Sequence, residues 1–285
     1  MSIDFDALDA FDEHEDTNRT GYIHAPTKYC GNKLESLPKI LPLIPYLDTF
    51  VDVFGGSGQV LLSRRPSKLE VYNDRQSGMS AFYRVLQNST LLKDFETRLA
   101  NLQHSRELFY AFREDLNKHD IDLVERALKW YYMVQVSFGG KGKEFGRIKA
   151  PDTPIFGRIH CYQDVFPHFH RRLQGVQIEN LDWKDCIRDY DSHNTVFYLD
   201  PPYWESNQYE HTMTRGDHVR MCEMIFDSKG FFALSGYENS VYDAYHWDDV
   251  EVFEVSQNFT PSDQTKGNKS RSDKRKEFLW IKEAT

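Results

Sequence analysis

Hydrophobic and polar positions along this chain follow two rhythms. The stretch Thr49-Phe50-Val51-Asp52-Val53-Phe54 is short, apolar and β-branched, which predicts a buried strand. It runs into Gly55-Gly56-Ser57-Gly58, and Gln59 to Ser63 then resumes an apolar pattern that opens a helix. A second strand is predicted at Leu69 to Asn73, ended by Asp74. Strand, glycine turn, helix, strand is a βαβ unit of a parallel sheet. From about residue 77 to 138 the period becomes helical. Asp122 and Glu125 have capping-box spacing, and Leu123, Ala127 and Tyr131 recur at four-residue steps beside Val124 and Leu128. Residues 137 to 172 read as irregular, with five glycines between Ser137 and Gly157. Strand patterns return at Val176 to Ile178, Val196 to Leu199, Phe231 to Leu234, Val250 to Val255 and Glu277 to Ile281. The expected fold class is α/β, a sheet interrupted by a mostly helical insertion, with no internal repeat.

At 285 residues, 40% of them hydrophobic, the chain can bury a sizeable core without a disulfide scaffold. No apolar run approaches the roughly 20 residues of a membrane span, and no secretory signal pattern opens the sequence. The cysteines, Cys30, Cys161, Cys186 and Cys222, are scattered without a CxxC pair, which argues against structural zinc and fits a reducing cytoplasm. The histidines show no HExxH or comparable spacing, so no metal is expected. A net charge of −9 argues at first against a nucleic-acid partner. Residues 1–18, however, carry seven acids and no Lys or Arg. Without that tail, expected as a disordered solvating arm, 35 basic residues face 37 acidic ones.

Two segments carry chemistry. A turn whose backbone passes close to a ligand needs glycine, and the start of a helix favours a negative ligand group. Phe54-Gly55-Gly56-Ser57-Gly58 meets both conditions. Asp74 lies 18 residues after Gly56, near the distance at which an acid in nucleotide-binding α/β folds accepts hydrogen bonds from ribose hydroxyls. The pair suggests an adenosine-containing ligand. The full dinucleotide fingerprint is absent, because Leu61 stands at its last glycine position, which weakens a nicotinamide or flavin reading.

The second segment is Val196-Phe197-Tyr198-Leu199-Asp200-Pro201-Pro202-Tyr203-Trp204. Prolines fix φ and cannot donate to a ladder, so the strand must stop at Asp200. Ligands of open α/β sheets bind at such carboxyl ends. The Asp200 carboxylate and the Pro201 carbonyl, side by side, can hold the two N–H donors of an exocyclic amine. Pro202 stiffens the turn and Tyr203 offers a face for a planar ring. Orienting the amine lone pair toward a methyl donor needs positioning and electrostatics rather than a strong base.

On these motifs the sequence resembles the DNA adenine-N6 methyltransferases of the Dam-like family, in its alpha class. Lys28-Tyr29-Cys30-Gly31-Asn32-Lys33 is similar to the family's K-W-x-G-G-K box, Phe54 to Gly58 to F-x-G-x-G, Asp200 to Tyr203 to D-P-P-Y, and Arg275 to Ile281 to a closing R-x-E-x-L-W-I strand. The resemblance runs from about residue 24 to the end. Tyr29 replaces Trp, Asn32 replaces the second Gly, and Val53 stands where Pro is common. The resemblance implies a Rossmann-like methyltransferase fold with S-adenosyl-L-methionine (AdoMet) as cofactor and S-adenosyl-L-homocysteine as product. Tyr29, Lys33, Asp52, Phe54, Gly56, Ser57, Gly58, Asp74, Asp182 and Trp183 would contact the cofactor, with Asp74 on the ribose and Asp182 on its adenine amine. Asp200, Pro201, Pro202 and Tyr203 would engage the target adenine. Residues 19–92 and 177–285 would form the catalytic domain, and 93–176 the target-recognition insertion. Such an enzyme would work in the cytoplasm of a bacterial cell or a phage-infected host.

A base inside a duplex must leave the stack before its amine can react, and the surrounding surface must neutralise phosphates. Residues 137–172 hold seven basic residues against three acids, interleaved with Phe138, Phe145 and Phe156. Within them, the segment from Ser137 to Arg147 resembles the family's target-recognition loop. Residues 261–276 hold six basic residues against two acids and are expected to order on DNA. Lys141, Lys143, Arg147, Lys149, Lys266, Lys269 and Arg271 are therefore expected to bind double-stranded DNA. The alternatives are a cytosine-N4 methyltransferase, whose motif more often begins with Ser, and a non-catalytic DNA-binding protein on the same scaffold.

Overall fold

The computed structural model describes residues 24–28, 31–118, 120–147, 163–203, 212–256 and 274–285. In chain order the main elements are α1 (Leu37–Ile40), β1 (Thr49–Asp52), α2 (Gln59–Ser63), β2 (Leu69–Asn73), α3 (Ser77–Gln87), α4 (Ser89–Leu99), α5 (Arg106–Asp115), α6 (Leu123–Val136), α7 (Phe166–Arg172), β3 (Val176–Glu179), α8 (Trp183–Tyr190), β4 (Thr195–Leu199), α9 (Arg215–Asp227), β5 (Phe231–Gly236), β6 (Asp249–Ser256) and β7 (Lys274–Lys282). Every strand expected from the patterning forms, at its place or within a few residues of it. The Asp122 cap also forms: its Oδ1 accepts the Glu125 N–H at 2.9 Å.

The strands make one seven-stranded sheet in the order β3-β2-β1-β4-β5-β7-β6. Neighbours from β3 to β5 are parallel, and β7 enters antiparallel between β5 and β6. This is a Rossmann-like α/β sheet, the fold class expected from the sequence. Its strands read as near-continuous apolar runs because both faces are covered. On one face Phe50, Tyr72, Val196, Tyr198 and Ile281 pack with α3, α6 and α7. On the other, Val51, Val71, Phe197, Leu199 and Trp280 pack with α8 and α9. Consecutive residues of β4 therefore feed two different cores, as alternating side chains require.

One difference from the sequence reading lies at α7, inside the stretch expected to be irregular. This two-turn helix is short and basic, so its periodicity is faint. It is held by tertiary contacts instead: Phe166, Phe169 and Arg172 are buried. Arg172 reaches across to β2 and makes a bidentate pair with Glu70, at 2.6 and 3.0 Å. Among the described residues, no helix is long and apolar enough to cross a membrane.

Candidate active site

The carboxyl ends of β1, β2 and β4 open into one cavity of about 560 Å³, within the range of small-molecule sites. β1 and β4 adjoin where the strand order reverses, the place where open α/β sheets bind ligands. Of the residues singled out in the sequence, Lys33, Asp52, Phe54, Gly56, Ser57, Asp74, Lys141, Lys143, Asp182, Trp183, Asp200 and Pro202 line it. Gly58, Arg147, Pro201 and Tyr203 are described but do not line it. Tyr29, Lys149, Lys266, Lys269, Arg271 and the acidic tail lie outside the described residues.

The glycine turn is a braced structure. Gly55 donates its N–H to Asn73 O at 2.7 Å, and Gly58 donates to Gly55 O at 2.7 Å. Tyr72 donates to the Gly56 carbonyl at 2.6 Å, and Tyr83 donates to the Ser57 carbonyl. Gly58 has φ of 66°, in the left-handed region, and caps α2. Gly55 is required for space, since a Cβ there would lie 2.3 Å from the Tyr72 ring.

Asp74 holds this turn in place. Its Oδ2 accepts the Gly56 N–H at 2.9 Å, and its Oδ1 accepts the Gln76 N–H at 2.7 Å. Asp182 caps α8 through the Lys184 N–H at 3.2 Å and pairs with Arg75 at 2.7 Å. Both acids thus have backbone duties that spacing alone does not reveal. Asp52 is 2% exposed, and its Oδ1 has no hydrogen-bond partner in the structure. Burial, with the Asp200 and Asp74 carboxylates nearby, pushes its carboxyl well above the ordinary range. An orphaned acceptor at the wall of a cavity fits a ligand bearing an amine or other N–H donor.

Asp200 leaves β4 into a charged cluster. Lys33 Nζ lies 3.0 Å from Asp200 Oδ1 and 2.6 Å from Glu277 Oε1. Glu277, on β7, also accepts from Ser36 at 2.8 Å and from Ser235 at 3.1 Å. Burial opposes the Lys33 charge, but Asp200, Tyr203 and Glu277 outweigh it and hold the ammonium well above its usual range. Burial pushes the Asp200 carboxyl up to about 6; Lys33 opposes the rise and Glu277 adds to it. A fifth of the Asp200 side chain, 20%, stays exposed, so a ligand can still reach it. Glu277 is not among the site residues singled out in the sequence. Its signal there is a lone acid inside an apolar strand, where an unpaired charge is costly.

Tyr203 stands beside Asp200 with its ring 4.8 Å from that of Tyr237. Lys141 and Lys143 sit in a stretch that is irregular, as expected, and is held by hydrogen bonds. The Gly142 N–H donates to Ser137 Oγ at 2.8 Å, Phe138 N–H to Glu144 O at 2.8 Å, and Arg113 to the Lys143 carbonyl at 3.1 Å. Phe138 is exposed in that stretch. Among the described residues, no cluster of His, Cys, Asp or Glu is placed to hold a metal ion.

The chain is 27% identical over 203 residues to the modification methylase LlaI of Lactococcus lactis subsp. lactis. That match takes in 68% of this chain and 31% of the relative, so the chain spans about a third of the length of the curated relative it matches. Residues 29–218 match the family described as D12 class N6 adenine-specific DNA methyltransferase, two thirds of the chain, and the chain belongs to that family.

Proposed function

We propose that this protein transfers a methyl group from AdoMet to N6 of an adenine in double-stranded DNA. The observation that carries the reading is Asp200, held by Lys33 at the end of β4 in a cavity that the glycine turn also lines. A methyltransferase family implies a methyl donor. The cavity volume and the orphaned Asp52 oxygen suit AdoMet, whose methionine part carries an amine. Asp52, the turn from Phe54 to Ser57, Asp74, Asp182 and Trp183 would hold it. When bound, AdoMet supplies a methyl group on an electrophilic sulfonium.

The chain's own residues then act by orientation. Lys33 occupies Asp200 Oδ1, and the carboxylate keeps further lone pairs for an amine N–H. Accepting that hydrogen turns the N6 lone pair toward the methyl group. N6 becomes cationic as its new bond to the methyl carbon forms and the sulfur–methyl bond breaks, which would leave S-adenosyl-L-homocysteine, and it becomes neutral once its proton passes to water. Asp200, Lys33 and Glu277 together carry one net negative charge, which favours that transient cation. Lys141 and Lys143, with Arg147, Lys149, Lys266, Lys269 and Arg271, would meet DNA phosphates, and residues 93–176 would supply target recognition. Duplex substrate requires the adenine to be turned out of the stack.

The test is incubation with unmethylated DNA and isotopically labelled AdoMet, then digestion to nucleosides and mass spectrometry. Labelled N6-methyldeoxyadenosine, absent with Asp200→Ala although AdoMet still binds, is expected. Label in N4-methyldeoxycytidine keeps the mechanism and changes the base. No label on DNA overturns the reading.

A further inference from the structure

The amine-binding turn is gripped from behind by a residue that no motif marks. His218, on α9, is 1% exposed. Its Nε2 lies 3.1 Å from the Pro202 carbonyl oxygen, and its Nδ1 lies 2.5 Å from the Tyr242 hydroxyl. A carbonyl oxygen only accepts, so Nε2 must carry the proton. A neutral imidazole has one N–H, so Nδ1 is an acceptor and Tyr242 donates to it. Burial keeps the ring neutral by lowering its pKa to about 4. The arrangement therefore admits one tautomer and one proton order: Tyr242 O–H to Nδ1, then Nε2–H to Pro202 O.

Both ends of this relay are anchored. Thr214 and Asp217 form a capping box at the start of α9, one residue before His218. Asn239 Oδ1 accepts the backbone N–H groups of Val241 and Tyr242 at 3.1 and 2.9 Å, and Trp247 donates to the Tyr242 carbonyl at 2.8 Å. The Tyr242 ring also packs edge-on against Trp280 of β7, with centroids 4.8 Å apart. Pro202 lacks an N–H, so its carbonyl is the one backbone handle by which the second proline can be held.

We propose that His218 is a positioning residue for the amine-binding turn: its Nε2–H fixes the Pro202 peptide plane and so sets how Asp200 and Tyr203 face the substrate. This rests on the methyltransferase reading above. His218 touches neither reacting atom, so its effect should fall on the rate of transfer and spare the affinity for AdoMet.

The test uses the full chain. His218→Leu should lower single-turnover methylation of adenine about tenfold to a hundredfold, the scale of a small misplacement of a reacting group. AdoMet affinity should stay within about twofold. His218→Gln, whose amide N–H can reach the Nε2 position, should restore most of the rate. Tyr242→Phe, which removes the donor to Nδ1, should also slow transfer at unchanged AdoMet affinity. It decides the matter if the leucine variant does not fold. Long-range ¹H–¹⁵N spectra, assigned by comparison with His218→Gln, should show the Nε2–H tautomer in the unaltered protein. Full-rate transfer by the leucine or phenylalanine variant, or a proton on Nδ1, would overturn the assignment. If the unaltered protein methylates no DNA, the functional reading fails. The tautomer measurement then still decides whether His218 grips the turn.

Discussion

Lys33 and Asp200 form a 3.0 Å ion pair, although Lys33 precedes the first strand and Asp200 follows the fourth. The same ammonium is shared with Glu277 on β7 at 2.6 Å. In the proposed reaction Asp200 would accept from a substrate amine most strongly as the carboxylate, and the charges of this cluster bear on the pH at which it ionises.

Activity should therefore fall as the pH drops through about 6, where burial has raised the Asp200 carboxyl. The charged groups acting on it are Lys33 and Glu277, Tyr203 hydrogen-bonds to it, and its own charge is felt at Asp52. Lys33→Met removes the cation that favours the carboxylate, so the acid limb should move up, by about one unit. Glu277→Gln removes a like charge, so it should move down. pH profiles of single-turnover methylation measure both. Shifts of the same sign in the two variants would contradict the cluster's role.

Gly55→Ala should damage the cofactor end of the cavity. The added Cβ would meet the Tyr72 ring at 2.3 Å, and that ring is stacked on Tyr83 at 4.4 Å. Both tyrosines brace the turn through its carbonyls, so the turn shifts with them. Overpacking of this kind costs about 1–3 kcal/mol. Chemical denaturation reads the stability, and AdoMet titration reads the site. Wild-type values in both would show that the turn is not held by these rings.

Glu70→Gln should destabilise the fold without touching the cavity. Arg172 and Glu70 have side chains only 5% and 4% exposed, and Arg64 approaches the same carboxylate at 3.6 Å. Removing the anion leaves two guanidinium groups short of their counter-charge. Breaking such a buried pair costs about 3–5 kcal/mol. A denaturation midpoint unchanged from wild type would show that the pair does not hold α7 to β2.

Lys141→Ala combined with Lys143→Ala should weaken DNA binding evenly across sequences. Every phosphate left without its lysine lowers the slope of log affinity against log salt by about 0.9. The pair should thus flatten it by up to about two. An unchanged slope would place these lysines off the DNA path, while AdoMet binding reports whether the cavity survived.

Much of the site is legible in local sequence. Strand lengths, the glycine turn and the Asp200–Tyr203 stop are written in side-chain period and backbone chemistry, which act over a few residues. Gly58 shows it: its left-handed φ is demanded by the turn itself. Spacing locates Asp74 and the family resemblance points to Asp182, but neither reveals that these acids hold backbone N–H groups of the glycine turn and of α8.

Contacts across the sheet follow a different logic. Lys33, which pairs with Asp200 after β4, also meets Glu277 because β7 runs antiparallel between β5 and β6, with Ser235 opposite Leu279 and Gly236 opposite Phe278. That register brings Glu277 to Ser235 and to the lysine; one residue of slip would turn its side chain to the other face. His218 reaches Pro202 only because α9 packs behind the turn. α7 exists because Phe166, Phe169 and Arg172 find burial against distant elements. Periodicity and turn chemistry specify which elements form, since they are properties of neighbouring residues. Which charges share a proton or a partner depends on strand order and register, and those arise when the whole sheet assembles.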